Sequence, residues 1–168
     1  RVKLDVSSEN VDRRAFIETV TSSRDEVRRG ERVEVDVRLR LREGGAIVTE
    51  RLAFDVPVTA PEGNFVVQIA GGDDVPGEVA APMDILDIPD LYGAFLKSTE
   101  LVAVVPTGRV NLDLDGRLIR NLPLSALPRL VRSPAAAGAS LQPVVERVRR
   151  TVPYIVAGRG KVTLRVRP

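Results

Sequence analysis

The sequence predicts a mainly β protein, with an immunoglobulin-like β-sandwich followed by a smaller α+β second half. One long stretch alternates between apolar and charged residues, and short turns containing Gly or Pro separate several similar stretches. Aromatic residues make up only 4% of a chain that is 43% hydrophobic. A core built mainly from Val, Leu, Ile and Ala favours strands, because branched side chains pack well on a pleated surface.

The clearest strand runs from Glu31 to Arg42. Its apolar residues share one parity, namely Val33, Val35, Val37, Leu39 and Leu41, and charged residues fill the other. Successive side chains of a strand point to opposite faces, so this strand has a dry side and a charged side. In a helix the same apolar residues would spread around the whole cylinder, which excludes a helix. The apolar part spans about 30 Å, enough to cross a sandwich.

Residues 1–72 form the predicted immunoglobulin-like domain. Its further strands are Arg1–Ser7, Ala15–Thr21, Ala46–Val56 and Asn64–Ala70. The sequence Glu43-Gly44-Gly45 predicts a hairpin turn, and Pro57 and Pro61 interrupt any central ladder.

Residues 73–89 are predicted to be an acidic connector rich in Pro and Gly, and residues 90–168 an α+β domain. This domain would begin with a helix from Asp90 to Ser98 and a buried strand from Glu100 to Val105. Its other predicted elements are a hairpin at 110–121, a short helix at 124–131 and a terminal strand at 161–167. The stretch from Leu141 to Val156 fits either an amphipathic strand or a helix broken at Pro153.

Two residue types are missing from the whole sequence. The chain has no Cys and no His, which excludes thiolate and imidazole chemistry, and it contains no nucleophile motif. We therefore expect a protein without catalytic residues, metal ligands or cofactors. No apolar run approaches the roughly 20 residues of a membrane-spanning helix. Because the sequence opens without Met or a signal peptide, we expect a processed part of a longer protein.

The net charge of +2 conceals a strong asymmetry. Residues 1–116 contain 14 basic and 22 acidic residues, whereas residues 117–168 contain 11 basic residues and a single acid, Glu146. The candidate contacts for an anionic partner are Arg147, Arg149, Arg150, Arg159, Lys161, Arg165 and Arg167. A solvated or domain-docking surface is the alternative interpretation. Nucleic acid is disfavoured because Tyr154 is the only aromatic residue nearby, so bases have no stacking platform.

Other motifs have simpler explanations than chemistry. Asn111, Asp113 and Asp115 resemble the opening of a calcium loop, but Leu122 stands where the bidentate acid belongs, and a hairpin turn explains the Asp-Gly pair. Lys97 and Ser98 are neighbours that do not face each other in a helix. The Gly158–Lys161 stretch lacks the first Gly and the final Ser or Thr of a phosphate loop.

The order of segments GERVEVDVRLR, VPVTAPEGNFVVQIAGGDD, LYGAFLKS, GRVNLDLDGRLIRNLPLSALPRLV and VPYIVAGRGKVTLRV resembles the region downstream of the peptidase in long SpoIVB-like bacterial serine peptidases. The resemblance covers roughly Gly30 to Arg167. It implies a non-catalytic carboxy-terminal portion of an envelope or secreted protein. The catalytic serine and histidine of that family have no counterpart here.

Three functions follow as hypotheses. The first is an accessory domain that binds a protein partner or a neighbouring domain of the same parent chain. The second is a homo-oligomeric surface subunit that exchanges the terminal strands Arg1–Ser7 or Lys161–Arg167. The third is a binder of polyanions or nucleic acid through the basic carboxy-terminal region.

Overall fold

Ten strands in two sheets dominate the computed structural model, which describes residues 12–75, 96–114, 117–127 and 140–168. The strands are β1 (Arg14–Ser22), β2 (Glu26–Arg28), β3 (Arg32–Leu41), β4 (Ile47–Asp55), β5 (Gly63–Gly71), β6 (Glu100–Leu114), β7 (Arg117–Pro123), β8 (Ser140–Thr151), β9 (Ile155–Ala157) and β10 (Arg159–Arg167). Within these ranges, two single-turn 3-10 helices span Gly72–Asp74 and Leu124–Ala126. The predicted mainly β class is confirmed.

The four-stranded sheet has the order β4-β3-β1-β9, and the six-stranded sheet follows the path β2-β10-β5-β6-β7, with β8 also paired to β6. Pairing is antiparallel except for β1 with β9 and β10 with β2. β9 and β10 are consecutive in the chain but belong to different sheets, so the chain passes from one sheet to the other at Gly158.

The two sheets enclose one apolar core. β3 contributes Val33, Val35, Val37 and Leu39, each at most 1% exposed, as its alternation predicts. β5, β6 and β10 of the other sheet supply the facing residues, among them Ile69, Leu101 and Leu164. Removal of this branched apolar surface from water is the main force holding the sheets together.

Both sheets combine strands from either side of the predicted connector. β10 pairs with β5 from Arg159 to Val166, and β9 pairs with β1. The described parts of the ranges 1–72 and 90–168 therefore share ladders and one core. The first connector residues also belong to the folded part, because Asp73 and Asp74 lie in a 3-10 helix and Val75 is buried. Residues 76–89 lie outside the described part of the chain.

The α+β character predicted for the second half is not shown. From residue 96 onward, the described residues form strands and the 3-10 helix Leu124–Ala126, with Leu127 continuing that turn. The predicted helix to Ser98 is wrong at its described end, since Leu96 and Lys97 have no regular structure and Ser98 lies in a turn. Residues 90–95 and 128–131 are outside the described ranges, as is the predicted strand Arg1–Ser7.

Strands also form in the stretch left open between strand and helix and in the predicted strand and hairpin after residue 100. Leu141–Val156 is divided between β8 and β9, with a bend at Pro153 and Tyr154. The predicted strand Glu100–Val105 and the first arm of the 110–121 hairpin form a single strand, β6, whose register with β8 shifts between Pro106 and Arg109. The hairpin is confirmed by the pairing of Leu114 with Arg117, and its turn residues lie outside the described part.

Two glycines permit the sheets to approach. A Cβ on Gly71 would lie 2.0 Å from the carbonyl oxygen of Val156, closer than any real side chain can sit. Gly158 adopts φ 97°, a conformation that favours glycine, and its N–H donates to Asp74 Oδ2 at 2.6 Å. These positions fix the β9–β10 crossing against the end of β5.

Candidate partner-binding face

β10 presents its basic residues to solvent because its apolar residues alternate with them. Val162, Leu164 and Val166 are buried in the core, so the residues between them point outward. The outward residues are Arg159, Lys161, Thr163, Arg165 and Arg167, all exposed. The strand predicted at 161–167 is thus confirmed and begins two residues earlier.

Strand register places two further arginines on the same face. Arg147 of β8 stands opposite Val104 of β6, which stands opposite Gln68 of β5 and then Lys161 of β10. The adjacent row runs from Arg149 through Val102 and Ala70 to Arg159 in the same way. Residues in register across a sheet share a face, and three strand spacings separate the two basic columns by about 14 Å.

Six of the seven predicted contact residues therefore lie on one outer face of the six-stranded sheet. We call this surface the basic face, defined by Arg147, Arg149, Arg159, Lys161, Arg165 and Arg167. It joins β8 and β10, which are separated in sequence by the bend at Pro153 and by β9.

Arg150 does not belong to the basic face. It pairs with Leu101, a core residue, and so lies on the opposite side of β8 from Arg149. Its guanidinium contacts Glu50 Oε2 at 3.1 Å and donates to the carbonyl oxygen of Arg51 at 2.5 Å. Arg150 thus joins β8 to β4 at the margin between the sheets, apart from the other six predicted contact residues.

The cations of β10 differ in their partners. Arg167 forms an ion pair with Glu26 of the neighbouring strand β2. Arg159, Lys161 and Arg165 form no ion pair with any residue in the described ranges. These three exposed cations keep their hydrogen-bonding capacity for a partner.

The outer face of the four-stranded sheet is balanced by comparison. Arg51 contacts both Asp36 at 2.9 Å and Glu34 at 3.4 Å, and Arg40 pairs with Glu18 of β1. Arg32 approaches Asp55 at 3.9 Å in the same manner. The mixed charges of β3 are thus largely neutralised across strands, as expected for a solvated sheet face.

A small apolar cluster lies between the two basic columns. Ala70 and Val102 belong to this outer side of the sheet, yet they are 4% and 0% exposed. Val75 covers them from the end of the first 3-10 helix, and Leu96 and Val104 pack against the cluster. The centre of the face is therefore closed by the chain itself, and the accessible cations lie at its sides.

The other sequence motifs have structural roles where the structure describes them. Asn111 Oδ1 accepts a hydrogen bond from the backbone N–H of Asn121, whose φ of 58° is left-handed, so this amide stabilises the hairpin. Asp115 lies outside the described residues, and those described contain no group of three His, Cys, Asp or Glu side chains that could hold a metal. Lys97 and Glu100 close a local turn, in which the Lys97 N–H donates to Glu100 Oε2 at 2.9 Å.

A shallow cleft of 310 Å³ forms beside Tyr154, lined also by Asp12, Arg13, Leu41 and Glu43. The side-chain hydrogen bond from Arg14 lowers the pKa of Asp12 from 3.8 to about 2. This carboxyl therefore stays ionised at neutral pH and cannot act there as a proton donor. No local sequence pattern predicts this cleft, because its residues come from distant parts of the chain.

Sequence reasoning also missed the polar residues beside the β10 cations. Asn64 and Gln68 of β5 stand opposite Arg165 and Lys161, and both are exposed. The signal was present in the alternation of β5, whose buried residues Phe65, Val67 and Ile69 leave Asn64, Val66 and Gln68 outward.

Comparison with known proteins gives no match: no protein-family model, curated protein or solved structure is similar to this chain. In the part of the chain that the structure describes, no helix has the length and apolar character needed to cross a membrane.

Proposed function

We propose that this chain is a non-catalytic accessory domain that binds a protein partner, or a neighbouring domain of its parent chain, through the basic face. The observation that carries the proposal is the convergence of six separately predicted basic residues on one face of the six-stranded sheet. A concentrated positive surface attracts acidic partners and accelerates their association. An immunoglobulin-like sandwich, the finer form of the fold that we propose, suits this role because it presents a rigid sheet face.

The cellular setting rests on sequence resemblance. The segments from Gly30 to Arg167 resemble the non-catalytic region of SpoIVB-like peptidases, which supports a bacterial cell-envelope, periplasmic or extracellular protein. Reading the gene-encoded sequence on both sides of residues 1–168 tests this point. A serine-peptidase domain in the same reading frame is the expected result, and a parent protein without one would count against it.

The binding face is tested by neutralising its accessible cations. The variant R159Q/K161Q/R165Q removes three charges from β10, and R32Q/R38Q/R40Q removes three from exposed positions of β3 on the other sheet. Binding to immobilised poly-glutamate, measured at low salt, should fall about tenfold for the β10 variant, since exposed charge contacts contribute about 0.5 kcal/mol each. The β3 variant should bind nearly as well as the unmodified chain. Equal loss in both variants would contradict a localised face.

Self-assembly by strand exchange is the alternative. β10 pairs with β5 over Arg159–Val166 and with β2 over Arg165–Arg167, so donating it would expose the core residues Val162, Leu164 and Val166. Light scattering over a wide concentration range separates the two ideas. A monomer at every concentration excludes the assembly, whereas a concentration-dependent dimer supports it.

A further inference from the structure

One part of the basic face combines regular cation spacing with accessible polar side chains. We call it the β10–β5 strip: Arg159, Lys161, Thr163 and Arg165 of β10, with Asn64, Val66 and Gln68 of β5. All seven residues are exposed, and none is acidic. Glu26 stands opposite Arg165 on β2 but pairs with Arg167. Within the described part of the chain, the strip is therefore a positive surface two strands wide whose cations Arg159, Lys161 and Arg165 form no ion pair.

We propose that the β10–β5 strip binds an extended acidic segment of a protein partner, with carboxylates on alternate residues. This inference rests on the proposed function and names the partner's chemistry. The cations of β10 repeat in steps of two and four residues, which correspond to about 6.7 and 13 Å along a strand. An extended peptide laid along β10 has the same repeat, so carboxylates at positions i, i+2 and i+6 meet all three cations without distortion.

The side chains between the cations fit such a segment. Arginine offers paired N–H donors that match a carboxylate, and the amides of Asn64 and Gln68 lie beside Arg165 and Lys161 to bind the peptide backbone. Val66, which is 41% exposed, stands opposite Thr163 at the step where the column has no cation. The carboxylate at i+4 of the segment would meet the Thr163 hydroxyl, which can donate a hydrogen bond to it.

Nucleic acid fits the strip less well. A single strand would need aromatic side chains on which its bases could stack, and the strip contains none. The cations on β10 form one straight column along a strand, which suits a linear chain of carboxylates. We therefore commit to an acidic polypeptide as the occupant, with nucleic acid and a second copy of this chain as alternative outcomes.

The test compares two peptides of equal composition. One alternates Glu and Thr through ten residues, and the other places all its Glu before its Thr. Fluorescence anisotropy with the whole chain should give severalfold tighter binding of the alternating peptide, and R159Q/K161Q/R165Q should remove that preference while R32Q/R38Q/R40Q keeps it. Equal binding of the two peptides, or tighter binding of oligo-deoxythymidine than of either peptide, would overturn the proposal.

The outcomes also separate this inference from the proposed function. If poly-glutamate binding depends on the three cations but the peptides bind equally, the extended-segment proposal fails and the binding face stands. If no anionic probe depends on them, both fail. If the chain instead self-associates and the β10 variant abolishes that association, the occupant is a second copy and the acidic-segment proposal is overturned.

Discussion

The guanidinium of Arg150 lies 3.1 Å from Glu50 Oε2 and so connects the edge of one sheet to the edge of the other. It also donates a hydrogen bond to the carbonyl oxygen of Arg51 on β4. In the described part of the chain, β4 is the edge strand of the four-stranded sheet and pairs there only with β3. An arginine that bonds the free side of an edge strand hinders addition of another strand there. Arg150 is thus a structural residue, although its neighbour Arg149 belongs to the basic face.

The Arg150–Glu50 pair should make a measurable contribution to stability. We expect R150Q to lower the free energy of unfolding by about 1 kcal/mol, because an ion pair and a charge-assisted hydrogen bond are lost at a half-exposed site. A double-mutant cycle with E50Q, followed by urea denaturation, isolates the coupling between the two side chains. Strictly additive effects of the two substitutions would show that the contact contributes nothing.

The core position Leu39 should tolerate truncation poorly. Its side chain is 0% exposed between the two sheets, so Leu39→Ala should cost about 2–5 kcal/mol through lost apolar burial and a residual cavity. Leu141→Ala is the matched control, because Leu141 on β8 is 45% exposed and its truncation should cost less than about 1 kcal/mol. Similar losses from the two substitutions would contradict the placement of β3 in the core.

Asp12 should titrate below its ordinary range. Its pKa falls to about 2 in the folded chain because of the hydrogen bond with Arg14 and the nearby charge of Arg42. A group with a lowered folded pKa stabilises the fold above its ordinary pKa of 3.8, and this contribution is lost as the pH falls through 2. The stability difference between the unmodified chain and D12N should therefore shrink below pH 4. A carboxyl titration midpoint near 4 by NMR would contradict the Arg14 contact.

The sequence predicted the strands where alternation was strict. The predicted valines and Leu39 of β3 are buried in the core. The cations of β10 point to solvent, as its alternating pattern predicts. The register shift in β1 between Ile17 and Thr19 was not predictable, and it brings Val20 into contact with the core, although strict alternation would put Val20 on the opposite face from Ile17. A single extra residue moves all the following side chains of the strand to the opposite face, and no local residue preference predicts where such a residue occurs.

The sequence predicts a basic region, and the strand registers show which of its residues share one face. In a strand, odd and even positions point to opposite faces, which separates Arg150 from Arg147 and Arg149. The sequence alone left this stretch open between strand and helix, so the faces of these three arginines could not be assigned from it. The rows that align β8 with β10 depend on pairing through β6 and β5, which joins residues distant in the chain. Charge composition located the basic region, whereas only the ladder registers show which cations share a face.

The most direct test of the binding face is an NMR titration of the isotope-labelled chain with the alternating Glu-Thr peptide. Backbone amide shifts should change along Arg159–Arg165 and Asn64–Gln68, with little change on β3. Addition of salt should reverse these changes, because exposed charge contacts are screened. Changes concentrated instead around the Tyr154 cleft or on β3, with β10 unaffected, would contradict a binding face on β10.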